Sequence, residues 1–145
     1  MAFITDGSVT TPGGFVAGAA ACGINDESLD MMLLYSEQAC SAAAVFTRNQ
    51  VVAAPVIVDR RTLADNNDQL HAVVANSGNA NACTGQQGLQ NAEEMQTAVA
   101  NALGCKTNQV LVLSTGVIGV QLPMEKVNSG IYFVAGDLST GYGTQ

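Results

Sequence analysis

Tryptophan is absent and positive charge is scarce in this 145-residue sequence. Five lysines and arginines stand against twelve acidic residues, so the formal net charge is −7. The basic residues are scattered along the chain: Arg48, Arg60, Arg61, Lys106 and Lys126. Because nucleic-acid binding requires a basic patch that neutralises phosphates, the sequence predicts no nucleic-acid partner.

Metal-binding side chains are also few. Histidine occurs once, at His71, and the four cysteines are far apart, at Cys22, Cys40, Cys83 and Cys105. No CxxC or HxxxH spacing occurs, so we expect no bound metal ion. Residues 1–7 lack the charged and apolar segments of a secretion signal, and no apolar run reaches membrane-spanning length. We therefore expect reduced thiols, a cytoplasmic protein and no association with a membrane.

Apolar residues, by contrast, make up 48% of the sequence, and charged residues only 12%. This balance predicts a folded chain with a substantial core, and the length favours a single domain over residues 1–145. The low charge has two interpretations. Either another polypeptide covers part of the surface, or the chain is simply rich in alanine and glycine. Composition alone does not separate them.

The first half of the chain carries short apolar runs that are typical of strands. Residues 31–36 and 42–47 are two such runs, and residues 37–40 between them fit a hairpin turn. Residues 55–58 form a third strand candidate, which begins at a proline. The charged stretch 59–69 is interpreted as a solvated surface connection. We thus predict antiparallel strands in this half.

The second half alternates between strand and helix patterns. Residues 86–103 have apolar side chains at helical spacing and are followed by Gly104, a residue type that favours helix ends. Strands are predicted on either side, at 71–75 and 110–113, and a second helix over 123–135. A helix between two strands is a βαβ-like unit. We therefore predict an α/β chain with a mixed sheet and flanking helices, and the α+β class stays open.

A polar turn follows the last apolar strand of the sequence. Ser114, Thr115 and Gly116 combine hydroxyls with a glycine backbone. Such a turn can aim two hydrogen-bond donors at one point, as a tetrahedral oxyanion requires. The asparagine-rich segment 76–85 either lines a polar pocket or satisfies its own backbone. On composition alone an ordinary turn and loop are the simpler interpretations. His71 has no neighbouring nucleophile motif and is interpreted as structural.

Four stretches of the sequence match those of one known family, in the same order. They are GSVTTPGGF at residues 7–15, AVFTRNQVVAAPV at residues 44–56, NSGNANACTG at residues 76–85, and STGVIG with LPM at residues 114–119 and 122–124. On these motifs the chain resembles the ornithine acetyltransferase family of arginine biosynthesis, which includes bifunctional ornithine acetyltransferases/glutamate N-acetyltransferases. The likeness extends from Gly7 to Gly130.

The resemblance implies a site and a reaction. The family is made as a precursor that cuts itself within a Lys-Gly-Ala-Thr stretch, and the freed threonine heads a β chain and acts as nucleophile. By resemblance, the Thr115 hydroxyl and the Gly116 backbone N–H form the oxyanion hole. The implied reaction is ping-pong transfer of an acetyl group from N2-acetylornithine to glutamate, with acetyl-CoA as an alternative donor and no bound cofactor. The implied fold is that of the self-processing ornithine acetyltransferases.

The resemblance also implies partners. It predicts a β chain from the same precursor, assembled with this chain as an α2β2 heterotetramer. No Gly-Ala-Thr occurs in the sequence. We therefore expect residues 1–145 to be the N-terminal, α-chain part of the acetyltransferase, truncated before the cleavage site and inactive alone. Two other hypotheses stay open. One is a non-catalytic product that only binds or assembles, and the other is an aminopeptidase-like relative of the same self-cleaving fold.

Overall fold

One sheet and three helices organise the described part of the chain. The structure, a computed structural model, describes residues 4–25 and 28–141. Its strands and helices, in chain order, are β1 (Phe15–Ala20), β2 (Met31–Cys40), α1 (Ala54–Asp65), β3 (Leu70–Asn76), α2 (Gly85–Leu103), β4 (Val110–Ser114) and α3 (Met124–Gly136). A short 3-10 turn, Thr107–Gln109, precedes β4. Strands and helices therefore alternate in the second half, as the sequence predicts.

The four strands form one mixed sheet in the order β1-β2-β3-β4. β1 pairs with β2, and β2 with β3, in antiparallel register. β3 and β4 run parallel and are joined through α2, which makes the predicted βαβ unit. The fold class is α/β with a mixed sheet and flanking helices, as the sequence predicts.

One face of the sheet carries the core. Side chains alternate along β3, so Leu70, Ala72 and Val74 are buried while the residues between them are partly exposed. Apolar side chains of all three helices complete this core: Val58 of α1, Met95 and Val99 of α2, and Val127 and Ile131 of α3. On the opposite face, Met32 and Leu113 are exposed. The helices thus leave that face of the sheet open.

Helix α1 corrects the prediction for residues 55–58. The sequence predicts a strand there, but Ala54–Asp65 is helical. The β-branched residues of this run favour strands, which explains the wrong prediction. Pro55 instead occupies the first helical turn, where its missing N–H leaves no hydrogen bond unmade. The stretch 59–69, which was expected to be a solvated connection, is helical up to Asp65.

The predicted hairpin between residues 31–36 and 42–47 is also wrong. β2 continues through residues 37–40, which the sequence assigns to a turn. Residues 41–53 form neither strand nor helix. β2 already has a strand on each side, so it offers no free edge with which the run 42–47 could pair. The side chains of that run consequently lie mostly at the surface.

The predictions for the second half are confirmed. The helix predicted over 86–103 is α2, and Gly104 ends it in the left-handed conformation with a φ of 70°. The predicted strands 71–75 and 110–113 are β3 and β4, and the helix predicted over 123–135 is α3. None of the helices in the described ranges is long and apolar enough to cross a membrane.

Candidate functional site

The candidate site lies where the parallel strands β3 and β4 end. Thr115 and Gly116 come directly after Ser114, the last residue of β4, and form a turn at this edge of the sheet. The neighbouring strand β3 ends at Asn76, which is opposite Ser114 in the register. The turn therefore follows β4, as the sequence predicts. The structure also places it next to the asparagine-rich segment 76–85.

Backbone hydrogen bonds join this turn to the segment after β3. The Thr115 N–H donates to the Asn76 carbonyl at 3.0 Å, and the Val117 N–H donates to the Gly78 carbonyl at 3.2 Å. In return, the Ala80 N–H donates to the Val117 carbonyl at 2.9 Å. The two loops satisfy each other's backbone groups, so the turn is fixed to the end of β3.

Gly116 occupies a position that excludes any side chain. Its φ of 135° lies in a region that residues with a Cβ rarely adopt. A Cβ at this position would overlap the Gly78 carbonyl carbon and would lie 2.5 Å from the Asn79 nitrogen. Glycine therefore allows the backbone of the turn to lie directly against the segment after β3.

Two donors of the turn have no partner within residues 4–25 and 28–141. The N–H groups of Thr115 and Val117 are hydrogen-bonded, but the Gly116 N–H between them is not. The Thr115 hydroxyl likewise makes no hydrogen bond to a described residue. Both Thr115 and Gly116 are exposed. An N–H and a hydroxyl on adjacent residues are thus available to an acceptor from outside the chain.

The asparagines of the neighbouring segment are engaged within the fold. Asn76, Asn79 and Asn81 are all buried. The Asn79 side-chain oxygen accepts the Asn81 N–H at 2.8 Å, and the Asn81 side-chain amide donates to the Gly88 carbonyl at 2.9 Å. Of the two interpretations that the sequence leaves open for this segment, these contacts support the structural one. Asn79 satisfies the segment's own backbone, and Asn81 joins the segment to α2.

His71, the one histidine of the sequence, lies at the opposite end of β3 from the turn. Its Nδ1 is 2.9 Å from the Ser36 carbonyl oxygen, and its ring stacks on Tyr35 with 6.0 Å between the ring centroids. These contacts agree with the structural interpretation of His71. The turn consequently has no imidazole of this chain beside it.

Asp30 stabilises the loop that supports the segment after β3. Its buried carboxylate accepts the N–H groups of Cys22, Ile24 and Asn25 at 2.6, 2.6 and 2.9 Å. Burial alone would raise the pKa of Asp30, but these backbone donors outweigh burial and hold the pKa below its ordinary value. The Asp30 carbonyl accepts the Ser77 N–H at 2.9 Å. The loop is thereby linked to the candidate site.

Asp59 is a buried acid, whereas the sequence predicts that the stretch 59–69 is a solvated connection. It lies on α1, and its carboxylate accepts the Val112 N–H at 2.9 Å. Burial raises the pKa of Asp59 to about 6, although the hydrogen bond from Val112 opposes this shift. Its side chain lines a groove of about 360 Å³ together with Phe46 and Leu113. Pro55 and Asp59 have the i, i+4 spacing that puts two side chains on one face of a helix, and both are buried. That spacing is the signal in the sequence that could have indicated the burial of Asp59.

Within the described ranges, the cysteines and acids form no cluster that resembles a second reactive centre. All four cysteines are free. In the ranges that the structure describes, no three His, Cys, Asp or Glu side chains are close enough to hold a metal ion. Burial raises the pKa of Cys22 to about 11, and the charge of Asp30 adds to the shift. This thiol is therefore protonated at neutral pH, a state that disfavours nucleophilic attack.

Comparison of sequences identifies relatives of the whole described fold. A sequence model of the ArgJ family matches residues 16–143. The arginine biosynthesis bifunctional protein ArgJ of Caldanaerobacter subterraneus subsp. tengcongensis is 49% identical over 136 residues, which cover 94% of this chain and 33% of that protein. The protein of the same name from Symbiobacterium thermophilum is 50% identical over 137 residues, which cover 92% of this chain and 33% of that protein.

Two solved structures share the fold. The arginine biosynthesis bifunctional protein ArgJ of Bacillus halodurans matches with a TM-score of 0.89 and 37% identity, over 97% of this chain and 73% of the other. The ornithine acetyltransferase of Mycobacterium tuberculosis, solved in complex with ornithine, matches with a TM-score of 0.90 and 40% identity, over 97% of this chain and 76% of the other.

These matches cover most of this chain but a smaller share of each relative. The chain spans about a third of the length of the curated relatives it matches. Within the chain, however, the family model runs from residue 16 to residue 143, and the same fold recurs in both solved relatives. From the family model and from relatives that are 49% and 50% identical over more than nine-tenths of the chain, it follows that this protein belongs to the ArgJ family.

Proposed function

We propose that this chain is part of an acetyltransferase of arginine biosynthesis, and that its Thr115–Gly116 turn forms the oxyanion hole. The observation that carries the proposal is the pair of unused donors on this turn, the Thr115 hydroxyl and the Gly116 N–H. The flanking N–H groups of Thr115 and Val117 are fixed to the segment after β3. The backbone that carries the Gly116 N–H is therefore held in place before any ligand arrives, and the Thr115 hydroxyl is carried on the same fixed backbone. A donor that is already in place is the property that oxyanion stabilisation requires.

Acetyl transfer between amines proceeds through two tetrahedral intermediates. A nucleophilic hydroxyl attacks the acetyl carbonyl carbon of N-acetylornithine, and the carbonyl oxygen becomes negatively charged. The intermediate collapses when the bond to the ornithine nitrogen breaks and that nitrogen receives a proton. Glutamate then attacks the ester carbonyl carbon of the acetylated enzyme through its amino group, and the same oxygen is charged again. This second intermediate collapses when the bond to the nucleophile's oxygen breaks. That oxygen takes up the proton that the glutamate nitrogen gives up, so N-acetylglutamate leaves and the hydroxyl is restored. Loss of one oxyanion donor raises such a barrier by about 3–4 kcal/mol.

The nucleophile in this proposal is the N-terminal threonine of a β chain made from the same precursor. An N-terminal threonine can use its own amino group as the general base. The position of His71 at the far end of β3 is compatible with this chemistry, because no imidazole from this chain is required. Acetyl-CoA is an alternative acetyl donor in the proposed reaction, no cofactor remains bound, and the reaction takes place in the cytoplasm.

The remainder of the enzyme is proposed to cover the open face of the sheet and the surface around the turn. Leu113 lies before Thr115 and is 47% exposed, while Val117 and Ile118 lie after it and are 58% and 64% exposed. Apolar side chains exposed on both sides of a polar turn are typical of a surface that another polypeptide covers. A β chain packed there would bring its terminal threonine to the two donors, in the proposed α2β2 assembly.

Substitution of Thr115 tests the proposed role of its hydroxyl. The assay uses a full-length member of the ArgJ family, with each substitution at the position that matches this chain, and follows acetyl transfer from N-acetylornithine to glutamate. Thr115→Val keeps the shape and removes the hydroxyl, so kcat is expected to fall about 10²- to 10³-fold. Thr115→Ser keeps the hydroxyl and is expected to retain most of the activity.

Thr97→Val provides the matched control for this experiment. Thr97 lies on α2 and is exposed, and its hydroxyl donates to the Glu93 carbonyl at 2.9 Å. The Thr97→Val substitution therefore removes a hydroxyl that is not part of the turn. The control is expected to keep wild-type kcat. Equal kcat values for Thr115→Val and the wild type would remove the Thr115 hydroxyl from the proposed oxyanion hole.

A further inference from the structure

We propose that Asn76 is a positioning residue for the Thr115–Gly116 turn, and that its side-chain amide sets the geometry of the two donors. This inference rests on the proposed function, since it assigns a residue that holds the oxyanion hole without contacting substrate. Asn76 is the last residue of β3 and is 2% exposed. Its side chain hydrogen-bonds to residues of both segments that meet at the site.

The side chain of Asn76 connects the strand before the turn to the segment beneath it. Its Oδ1 accepts the Ser114 hydroxyl at 2.6 Å. Its Nδ2 donates to the Asn79 carbonyl at 3.0 Å and to the Ser77 carbonyl at 3.3 Å. Its backbone carbonyl accepts the Thr115 N–H at 3.0 Å. Asn76 thus hydrogen-bonds both to Ser114 and Thr115, at the start of the turn, and to the segment after β3, against which the turn packs.

The contact that transmits this effect to the donors is the one between Gly116 and residues 78–79. A Cβ on Gly116 would overlap the Gly78 carbonyl carbon, so the two backbones are in direct contact. Asn79 also forms isolated β-bridges with Thr115 and Val117, the residues on either side of Gly116. A shift of the Asn79 backbone therefore shifts the Gly116 N–H. Asn76 restrains that backbone through its bond to the Asn79 carbonyl.

Asparagine suits this position because the site needs a donor and an acceptor at the same time. An aspartate would still accept the Ser114 hydroxyl, but it would place a negatively charged oxygen against the Asn79 carbonyl, where the amide now donates. The buried row of β3 is otherwise apolar, with Ala72 and Val74 preceding Asn76. A buried polar side chain in such a row destabilises a fold unless its hydrogen bonds are made.

Gln96 supplies a matched control at the other end of β4. It is also a buried side-chain amide, and its Nε2 donates to the Val110 carbonyl at 2.7 Å and to the Thr62 hydroxyl at 2.9 Å. Val110 is the first residue of β4, whereas Ser114 is the last. Gln96→Glu and Asn76→Asp therefore make the same chemical change, an amide to an acid, and only Asn76→Asp makes it beside the turn.

The first measurement concerns the turn itself and uses this chain, labelled with ¹⁵N. Amide exchange is measured for Thr115 and Val117, whose N–H groups bond to residues 76 and 78, together with the chemical shift of Gly116. In Asn76→Asp, exchange of both amides is expected to accelerate about tenfold or more relative to the core of α2, and the Gly116 resonance to shift. Gln96→Glu is expected to leave these signals unchanged.

The second measurement concerns catalysis and uses a full-length ArgJ family member with the matching substitutions. Asn76→Asp is expected to lower kcat about 10- to 100-fold, because a displaced donor still permits substrate binding but stabilises the oxyanion less. KM for N-acetylornithine is expected to change less than about twofold. A purely structural role would lower the amount of folded enzyme and leave kcat per folded molecule unchanged.

The outcomes separate this inference from the proposed function. Unchanged exchange and an unchanged Gly116 shift in Asn76→Asp would overturn the positioning role whatever the activity. A disturbed turn with wild-type kcat would instead overturn the oxyanion role of the turn, and with it the catalytic purpose of Asn76. If Asn76→Asp does not fold, Ser114→Ala removes one of the same bonds from a partly exposed hydroxyl, and it is expected to give a smaller effect in the same two measurements.

Discussion

Replacement of Asp59 by asparagine is expected to stabilise the protein above about pH 7 and to leave its stability unchanged below about pH 4. Burial raises the pKa of Asp59 from 3.8 to about 6. A carboxyl group whose pKa is higher in the folded state stabilises the fold while it is protonated, and that stabilisation is lost as the pH rises through the folded-state pKa. Asparagine has the shape of the protonated acid and keeps an oxygen that can accept the Val112 N–H.

The size of the effect follows from the shift in the pKa. The rise from 3.8 to about 6 is roughly two pH units, and each unit corresponds to about 1.4 kcal/mol, so the free energy of unfolding should differ by about 3 kcal/mol at most. The difference between Asp59→Asn and the wild type should grow between about pH 4 and pH 6 and stay constant above that range. Most of the Asp59 side chain is buried, but it also lines the open groove beside Phe46, so solvent screens part of the charge and this value is an upper limit.

Urea unfolding followed by circular dichroism, at several pH values between about 4 and 8, measures this difference. Asp68→Asn serves as the control, since Asp68 is exposed between α1 and β3 and has no comparable desolvation. An equal difference between Asp59→Asn and the wild type at every pH would contradict a raised pKa of Asp59. A variant less stable than the wild type at about pH 8 would contradict it too, because the ionised carboxylate would then contribute favourably.

Three further outcomes are expected. Gly116→Ala should lower the free energy of unfolding by about 1–3 kcal/mol, because the added Cβ would overlap the backbone at Gly78. Gly136→Ala places its Cβ in open space and should not lower the free energy of unfolding, and chemical unfolding compares the two variants. Asp30→Asn should destabilise the protein at neutral pH, and its difference from the wild type should disappear as the pH falls through the lowered pKa of Asp30, as thermal melts at decreasing pH would show. The chain alone should bind a dye for apolar surfaces and show no acetyl transfer, and the remaining part of a family member should reduce the dye binding; a chain that binds no dye would contradict the proposed covered surface.

The elements predicted correctly are those whose pattern is local. Helix α2 has apolar residues at helical spacing over its length and a glycine, Gly104, at its end. β4 is a short apolar run that stops at the polar turn beginning with Ser114. In both cases the residues that determine the element lie within it or beside it in sequence. The position of the candidate site could therefore be predicted, because it depends on where β4 ends.

The elements predicted wrongly depend on distant parts of the chain. The run around Pro55 has the β-branched residues of a strand, yet it packs as a helix over the buried side chains of β4 and α2. The loop 41–53 has strand-like composition but no free edge of β2 to pair with. The bond between Asn76 and Ser114 joins residues 38 positions apart. No sequence spacing indicates that contact, because it exists only once β3 and β4 are parallel neighbours.

The outer edges of β1 and β4, the two outer strands of the sheet, have a consequence for aggregation. Outer strands expose unpaired backbone groups, which can recruit strands from other molecules. On β1, Ala17 exchanges two backbone hydrogen bonds with Ser139, each 2.9 Å long. On β4, Asp59 accepts the Val112 N–H and Gln96 donates to the Val110 carbonyl. A foreign strand would have to displace these partners at either edge. In a chain with only 12% charged residues, these contacts hinder edge-to-edge pairing between copies where charge repulsion would contribute little.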